Sequence, residues 1–259
     1  MAPLVALTRE ITPAIACCEL THLAREPIDL VRARRQHAEY ERALNTLGCD
    51  VRQLPAEADM ADAVFIEDTA IVLDELAVLL RPGARSRRRE TAAVGDALRP
   101  HRTVHEIAGP ATVDGGDVLV VGRRIFVGLS SRTTRDAAGE LSRLLTPFGY
   151  MVDAVPIGGC LHLKSAVTSL ADDELLINAD WVDASVFDGY ALVGVDALEP
   201  AAANAARVGT AILFPEEFPR TRDRIAARGF DVRTVPAGEL AKAEGAVTCC
   251  SLIFQSVAR

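Results

Sequence analysis

The sequence predicts an α/β protein built by radial repetition, and three observations carry that prediction. Short apolar strands come in pairs joined by tight polar turns, as at Asp74-Glu75, Gly122-Arg123 and Ala171-Asp172-Asp173. A helical stretch and a further strand follow most of these pairs. One polar residue recurs at a matching point of each unit: Asp68, Asp114, His162, Asn204 and Cys249, spaced 46, 48, 42 and 45 residues apart. Strand–turn–strand–helix–strand units of that length stack around an axis, each aiming one polar side chain at it. A doubly wound parallel sheet is the alternative, and the hairpins inside each unit disfavour it.

In chain order, Pro3–Thr8 reads as a strand on its run Leu4-Val5-Ala6-Leu7, and Ile11–Arg25 reads as loop. Ile28–Leu47 carries Leu30, Ala33, His37, Tyr40 and Leu47 near helical spacing, and Gly48 stops it. Val51–Pro55 is a strand closed by proline. The first unit then places a strand over Val64–Leu73, its return over Leu76–Leu80 and a helix over Arg87–Leu98. The second has strands Asp114–Val121 and Ile125–Leu129, helix Asp136–Leu145 and a strand ending at Val155-Pro156. The third has strands His162–Leu170 and Glu174–Asn178 before an irregular helical part. The fourth opens at Asn204, with strand Thr210–Phe214, helix Arg220–Arg228 and strand Val232–Pro236. The fifth, Cys249–Gln255, has no helix left to follow it, so the N-terminal strand and helix complete it and close the ring.

Composition narrows the function classes. The chain has 259 residues, about half of them hydrophobic, and a formal charge of −8, enough for a sizeable core and unsuited to nucleic acid. Arg87-Arg88-Arg89 is a short basic run in an acidic chain. The six cysteines show neither C-x-x-C pairs nor zinc-ligand spacing. Met1–Pro13 lacks the pattern of a signal peptide, and no apolar run is long enough to span a bilayer. The expectation is one domain over residues 1–259, reduced, cytoplasmic and without a membrane partner.

Three groups of residues can carry chemistry. In Ala243–Phe254, read as a loop running into a strand, alternation puts Cys250 on the face of Leu252 and Phe254, and Cys249 on the other. Cys249 is then the cysteine presented to polar surroundings, although two core cysteines would read the same way. A thiol with an ordinary pKa of about 8.5 is mostly protonated at neutral pH, and a nearby imidazolium promotes the thiolate. His162, alternating with Leu161 and Leu163, is the candidate, as general acid to a leaving group; a histidine holding a backbone carbonyl is the alternative. Carboxylates are costly in a core unless paired. Glu67 and Asp68 interrupt an apolar strand, and Asp114 and Asp117 flank Gly-Gly, so they suit either a planar guanidinium ligand or internal pairing. Arg81-Pro-Gly-Ala-Arg-Ser-Arg87 and Gly128-Leu-Ser-Ser-Arg132 both follow the return strand of their unit, where a pair of arginines can clamp a carboxylate; ordinary exposed arginines at helix starts are the alternative.

These residues resemble a known family. Phe65-Ile-Glu-Asp68, Leu80-Arg-Pro-Gly-Ala-Arg-Ser-Arg-Arg88, Asp114-Gly-Gly-Asp-Val118, Val127-Gly-Leu-Ser-Ser-Arg-Thr133, Leu161-His-Leu-Lys-Ser165 and Thr248-Cys-Cys-Ser251 are similar to dimethylarginine dimethylaminohydrolases, in order and over almost the full length. Val31-Arg-Ala-Arg-Arg-Gln-His37 also matches. The resemblance implies a five-bladed α/β propeller of the guanidine-modifying (pentein) superfamily, with a central active-site channel. It implies hydrolysis of Nω-methylated L-arginine to L-citrulline and methylamine or dimethylamine through a thiouronium on Cys249. His162 would be the acid/base and Asp68 would grip the guanidinium, while Asp114 would orient His162 or share that grip. Arg87 and Arg132 would bind the α-carboxylate; Leu20, Asp62, Glu67, Ala243 and Glu244 would line the pocket and its lid. Two positions depart from the family pattern: Glu244 stands where relatives carry Asp, and Asp114 where some carry Glu, which bears on pocket depth. The implied mechanism needs no cofactor and no metal, because the carboxylates and His162 handle protons and charge; Cys249 and His162, if close in space, could trap zinc as an inhibitor. Monomer and homodimer both stay open. An arginine deiminase and a non-catalytic arginine-binding propeller are the alternative functions.

Overall fold

The structure, a computed structural model, describes residues 3–256; the remaining positions of the domain expected over 1–259 lie outside the described residues. The chain starts with strand β1 (Leu4–Arg9), helix α1 (Leu30–Thr46) and strand β2 (Cys49–Leu54). α1 begins where the Asp29 side chain accepts the Arg32 N–H, which satisfies one of the free amides of a first turn. Its buried residues Ala33, Gln36, His37, Tyr40 and Leu44 form one stripe, and Gly48, at φ +92°, ends it.

Four units follow. The first holds β3 (Ala70–Val72), β4 (Leu76–Leu79), α2 (Thr91–Leu98) and β5 (Thr103–Glu106); the second β6 (Val118–Val121), β7 (Arg124–Leu129), α3 (Arg135–Leu145) and β8 (Met151–Pro156). The third opens with the short helix α4 (Leu163–Ala166), then β9 (Val167–Ser169), β10 (Glu174–Ile177), a 3-10 turn at Ala184–Phe187 and β11 (Ala191–Gly194). The fourth holds β12 (Ala206–Val208), β13 (Ala211–Pro215), α5 (Pro219–Ala227) and β14 (Asp231–Val235). The short helix α6 (Gly238–Ala241) leads to the last strand, β15 (Leu252–Gln255).

Each unit is a three-stranded sheet with the same connectivity. The first strand pairs antiparallel with the second, the second pairs parallel with the third, and the crossover between them carries the helix or 3-10 turn. The fifth sheet, β15-β1-β2, joins both ends of the chain: Leu4 faces Gln255 and Leu7 faces Leu252 in an antiparallel pair, while β2 runs parallel to β1. The chain closes its own ring, as the expected fifth unit required.

Five apolar clusters join successive sheets. Val78 packs with Ile125, Val127 and Leu141; Phe126 with Val167, Leu175 and Phe187; Leu176 and Val193 with Ile212 and Phe214. Leu213 packs with Ala6, Ala33 and Tyr40, and Leu7 and Leu252 with Ala77 and Leu79. The ring is therefore a five-bladed α/β propeller. Strands β3, β6, β9, β12 and β15 face the axis and line a central cavity of about 250 Å³. Leu141 is fully buried in the stripe of α3. Leu141→Ala is expected to lower unfolding free energy by about 2–5 kcal/mol, read from the shift in denaturant midpoint at constant slope.

Several expected boundaries move. The strand assigned to Val64–Leu73 is a 3-10 turn at Ile66–Thr69 followed by three strand residues, and the stretch Asp114–Val121 also opens with a 3-10 turn. The helix assigned to Arg87–Leu98 divides into a 3-10 turn over Arg85–Glu90 and α2. Cys249 and Cys250 lie in a turn that ends before β15, rather than on the strand. The turns before β3, β6 and β15 each deliver their polar residue at the axis end of an inner strand, where a continued strand would have pointed it along a sheet face.

Candidate active site

Four of the five marker residues form the floor of one site. Asp68 sits in the turn before β3, Asp114 caps the turn before β6, His162 caps α4 before β9, and Cys249 lies in the turn before β15. Asp68, Asp114 and Cys249 are buried, and His162 is 5% exposed. His162 Nε2 lies 3.2 Å from Asp114 Oδ2, and Nδ1 lies 4.0 Å from Asp68 Oδ1. The other Asp114 oxygen accepts the Gly83 N–H at 2.8 Å.

The Gly115-Gly116 pair makes this convergence possible. A Cβ on Gly115 would stand 2.0 Å from the Glu67 carbonyl oxygen, and one on Gly116 would stand 2.5 Å from His162 Nδ1 and 3.0 Å from Asp68 Oδ1. Without side chains, the two turns close on each other, and Gly116 donates its N–H to Asp68 Oδ1 at 2.8 Å. Asp117 fixes the histidine from behind: it accepts from Leu163 N–H at 2.9 Å, Ser130 Oγ at 2.5 Å and Thr133 Oγ1 at 2.6 Å.

Charge is distributed in a consistent direction. Burial alone would depress the His162 imidazole, but Asp68, Asp117 and Asp114 outweigh it and raise its pKa to about 9. Burial would raise Asp68, yet the His162 and Arg87 cations hold it at about 2. Asp117 is pushed up to about 6 by burial, against the pull of His162 and its hydrogen-bond donors. Burial, then Glu67 and Asp68, drive the Cys249 thiol well above its ordinary value. The unliganded site at neutral pH thus holds an imidazolium beside a neutral thiol. A bound cation would offset the carboxylates that keep the thiol protonated.

Glu67 is part of the same floor. Its oxygens accept from Lys164 Nζ at 2.5 Å and from Thr248 Oγ1 at 2.8 Å, and its N–H donates to the Cys249 carbonyl at 3.1 Å. Asn204, the fifth marker, donates Nδ2–H to Thr248 Oγ1 and to the Lys164 carbonyl, and accepts the Thr248 N–H. It braces the residue before the thiol. The Ala246 N–H points at Cys249 Sγ, 3.4 Å away. Cys250, unlike Cys249, lines a small buried space with Tyr40, Leu240 and Val247, and its thiol donates to the Ala246 carbonyl at 3.5 Å.

Arg87 sits deeper than Arg132. Its guanidinium is buried, with Nη1 donating to Asp68 Oδ2 at 2.5 Å, Nε and Nη2 to the Glu90 carboxylate, and Nη2 to the Asp62 and Phe65 carbonyls. It braces Asp68 from within the site. Arg132 is half-buried at the rim, where Nη2 donates to Thr21 Oγ1 at 3.0 Å. Leu20 is partly buried against the cluster that contains Ala243 and Cys249. Asp62 accepts the Glu19 N–H, and Glu244 accepts N–H groups from Thr21, His22 and Leu23. Every expected site residue therefore stands on this end of the axis. Sequence reasoning missed Glu90, Lys164 and Thr248; the last two lie beside His162 and Cys249 in the motifs, and adjacency was the only signal available.

Asp68, Asp114 and His162 also bring three donor atoms within 4.8 Å of one another, close enough to hold a cation. Since Arg87 already engages one Asp68 oxygen and Gly83 one of Asp114, only part of each carboxylate is free for that purpose.

Comparison with known proteins agrees on one family. The profile of the family described as N,N dimethylarginine dimethylhydrolase, eukaryotic, matches residues 22–186. The N(G),N(G)-dimethylarginine dimethylaminohydrolase of Pseudomonas aeruginosa is 33% identical over 237 residues, covering 90% of this chain and 92% of the relative. That of Streptomyces coelicolor is 36% identical over 250 residues, covering 95% of each. A solved structure of the Pseudomonas aeruginosa protein, a cysteine-to-serine mutant complexed with citrulline, superposes with a TM-score of 0.93 at 31% identity, covering 98% of this chain and all of the other.

Proposed function

Because the chain belongs to the dimethylarginine dimethylaminohydrolase family, we propose that it hydrolyses Nω-methylated L-arginine to L-citrulline and dimethylamine or methylamine, with the propeller as one catalytic domain. The observation that carries this reading is the convergence of a buried thiol, an imidazolium and the carboxylates Glu67, Asp68 and Asp114 at one end of the axis. A planar cation fits that floor, with Asp68 and the adjoining carboxylates facing its N–H groups.

The reaction runs in two halves. The bound guanidinium offsets Glu67 and Asp68 and lowers the cost of ionising Cys249, so the thiol releases its proton to solvent as substrate binds, His162 being already protonated. The Cys249 thiolate forms a C–S bond to the guanidinium carbon. The His162 imidazolium gives its proton to the departing amine nitrogen as the C–N bond breaks, and an S-alkylthiouronium remains. Neutral His162 then takes a proton from water, whose oxygen attacks the same carbon. Collapse forms the ureido carbonyl of citrulline and breaks the C–S bond, and the hydroxyl proton goes with the departing sulfur, which restores the neutral Cys249 thiol. Asp114 holds the ring through Nε2, and Asp68 supplies the field that keeps the imidazolium charged before transfer.

Arg132 is assigned to the substrate α-carboxylate, supported by its half-buried place beside the Thr21 segment. Arg132→Ala is expected to raise KM by about 10- to 100-fold, the range set by charge-assisted bonds, with a smaller effect on kcat. Steady-state rates over a dimethylarginine series check this. Leu20, Asp62, Ala243 and Glu244 line the remaining wall and its cover. A reduced compartment such as the cytoplasm suits the nucleophile, and all six cysteines are free thiols.

The function is tested by supplying dimethylarginine and arginine separately and measuring citrulline. Turnover of dimethylarginine with little from arginine is expected. Efficient turnover of arginine alone would make the chain a deiminase. Binding of either without citrulline would make it a non-catalytic receptor.

A further inference from the structure

The reacting groups are enclosed: Cys249 is 9%, His162 5% and Asp68 3% exposed. The segment around Leu20 borders them: Glu19 donates to Asp62, Thr21 accepts from Arg132, and Leu20 packs on the cluster that holds Cys249, which makes this segment their cover. Thr21–Arg25 is exposed and has no regular structure. We propose that Glu244 is the latch that holds this segment shut, a positioning residue that sets how often the site opens. The proposal rests on the methylarginine reading for its consequence in turnover, though not for the latch itself.

The geometry is specific. Glu244 Oε2 accepts the Thr21 N–H at 3.0 Å, and Oε1 accepts the His22 and Leu23 N–H groups at 2.5 and 2.7 Å. Three successive amides converge on one carboxylate, the arrangement in which backbone dipoles bind an anion. Glu244 is also the only non-glycine among the described residues with positive φ, +59°, a conformation that side-chain-bearing residues adopt at a cost and keep where surrounding contacts impose it. Here the imposed contact is the latch.

The latch is rigidly tied to the nucleophile. Gly245 lies so close to Phe65 that a Cβ would stand 2.1 Å from the ring, so the backbone at 244–246 has no slack. The next residue, Ala246, donates its N–H to Cys249 Sγ. The segment has other anchors: Glu19 to Asp62, Glu19 to Ser86, and Thr21 Oγ1 to Arg132. None of these engages the three amides that Glu244 holds. Opening the cover therefore breaks the Glu244 bonds while the turn carrying Cys249 stays in place.

The test compares wild type with Glu244→Gln and Glu244→Ala, all without ligand, by hydrogen exchange of backbone amides and by the rate of Cys249 alkylation by iodoacetamide, located by peptide mass spectrometry. Exchange at Thr21, His22 and Leu23 is expected to speed up on the order of 10- to 100-fold in the Ala variant and less in the Gln variant. The Glu19 amide and the melting temperature should change little, and Cys249 alkylation should accelerate in parallel. With dimethylarginine, KM should rise by more than kcat falls. Wild-type exchange and alkylation in both variants would overturn the latch, as would a collapse of kcat without faster exchange. Because the exchange and alkylation readings need no substrate, they separate failure of the latch from failure of the methylarginine reading.

Discussion

Cys249→Ser is expected to abolish hydrolysis of dimethylarginine, lowering kcat by at least about 10³-fold, while citrulline still binds. The serine hydroxyl is a far weaker nucleophile than a thiolate, and at neutral pH the floor offers nothing to activate it: three carboxylates raise the His162 pKa to about 9, so below that pH the ring is an imidazolium and cannot act as a base at rest. The packing change is small, since the turn at 247–250 is fixed by Thr248, Asn204 and Glu67. Cys250→Ser provides the contrast. Its sulfur lies in the core with Tyr40 and Leu240, so the expected cost is to stability and not to chemistry. Calorimetry with citrulline and single-turnover kinetics separate the two variants. An inactive Cys250→Ser that binds and melts normally would reverse the assignment.

Asp68→Asn is the second large effect, with kcat/KM expected to fall by about 10³-fold or more. Asp68 faces His162 on one side and Arg87 on the other, and the site relies on it to face the substrate cation too. Removing its charge leaves Glu90 as the remaining salt-bridge partner of Arg87 among the described residues, and breaking a buried pair on one side costs about 3–5 kcal/mol. The pH dependence has a definite sign. The folded His162 pKa of about 9 exceeds its ordinary 6.5, so its contribution to stability is complete below about pH 6.5 and is lost as pH rises through 9. The folded Asp68 pKa of about 2 lies below 3.8, so its contribution is present above pH 3.8 and is lost as pH falls toward 2. In Asp68→Asn the second contribution vanishes and the first shrinks, because burial then depresses the imidazole against fewer carboxylates. The alkaline fall in stability and in first-half chemistry should move to lower pH. Denaturation midpoints and burst rates from pH 6 to 10 read this directly, and an unmoved alkaline limb would rule out Asp68 as the main support of the His162 charge.

The ring was legible because each blade repeats a local signal. Apolar runs separated by polar turns, such as Val118–Val121, Gly122-Arg123 and Ile125–Leu129, need no tertiary context. The outer strands β5 and β11 went unseen. Thr103–Glu106 and Ala191–Gly194 are short and largely exposed, each pairs on one edge only, and neither shows the alternation that marks a half-buried strand. In the site, Cys249, His162, Asp68 and Asp114 stood out as polar residues amid apolar runs. The role of Arg87 did not, because Asp68 lies 19 and Glu90 three positions away on a turn that was read as helix. The Glu244 latch was out of reach for a related reason: its donors lie 221 to 223 residues away, and a carboxylate seated on backbone amides leaves no complementary side chain to find.

The central claim is that Cys249 forms the covalent bond to substrate carbon. Acid quenching during turnover of dimethylarginine, followed by digestion and mass spectrometry, tests it most directly. The Cys249 peptide should carry a mass equal to substrate less dimethylamine, accumulating when His162 is replaced and an activated leaving group is supplied. Citrulline accumulating with no adduct on any cysteine, or an adduct on Cys250 or Cys160 instead, would contradict the account.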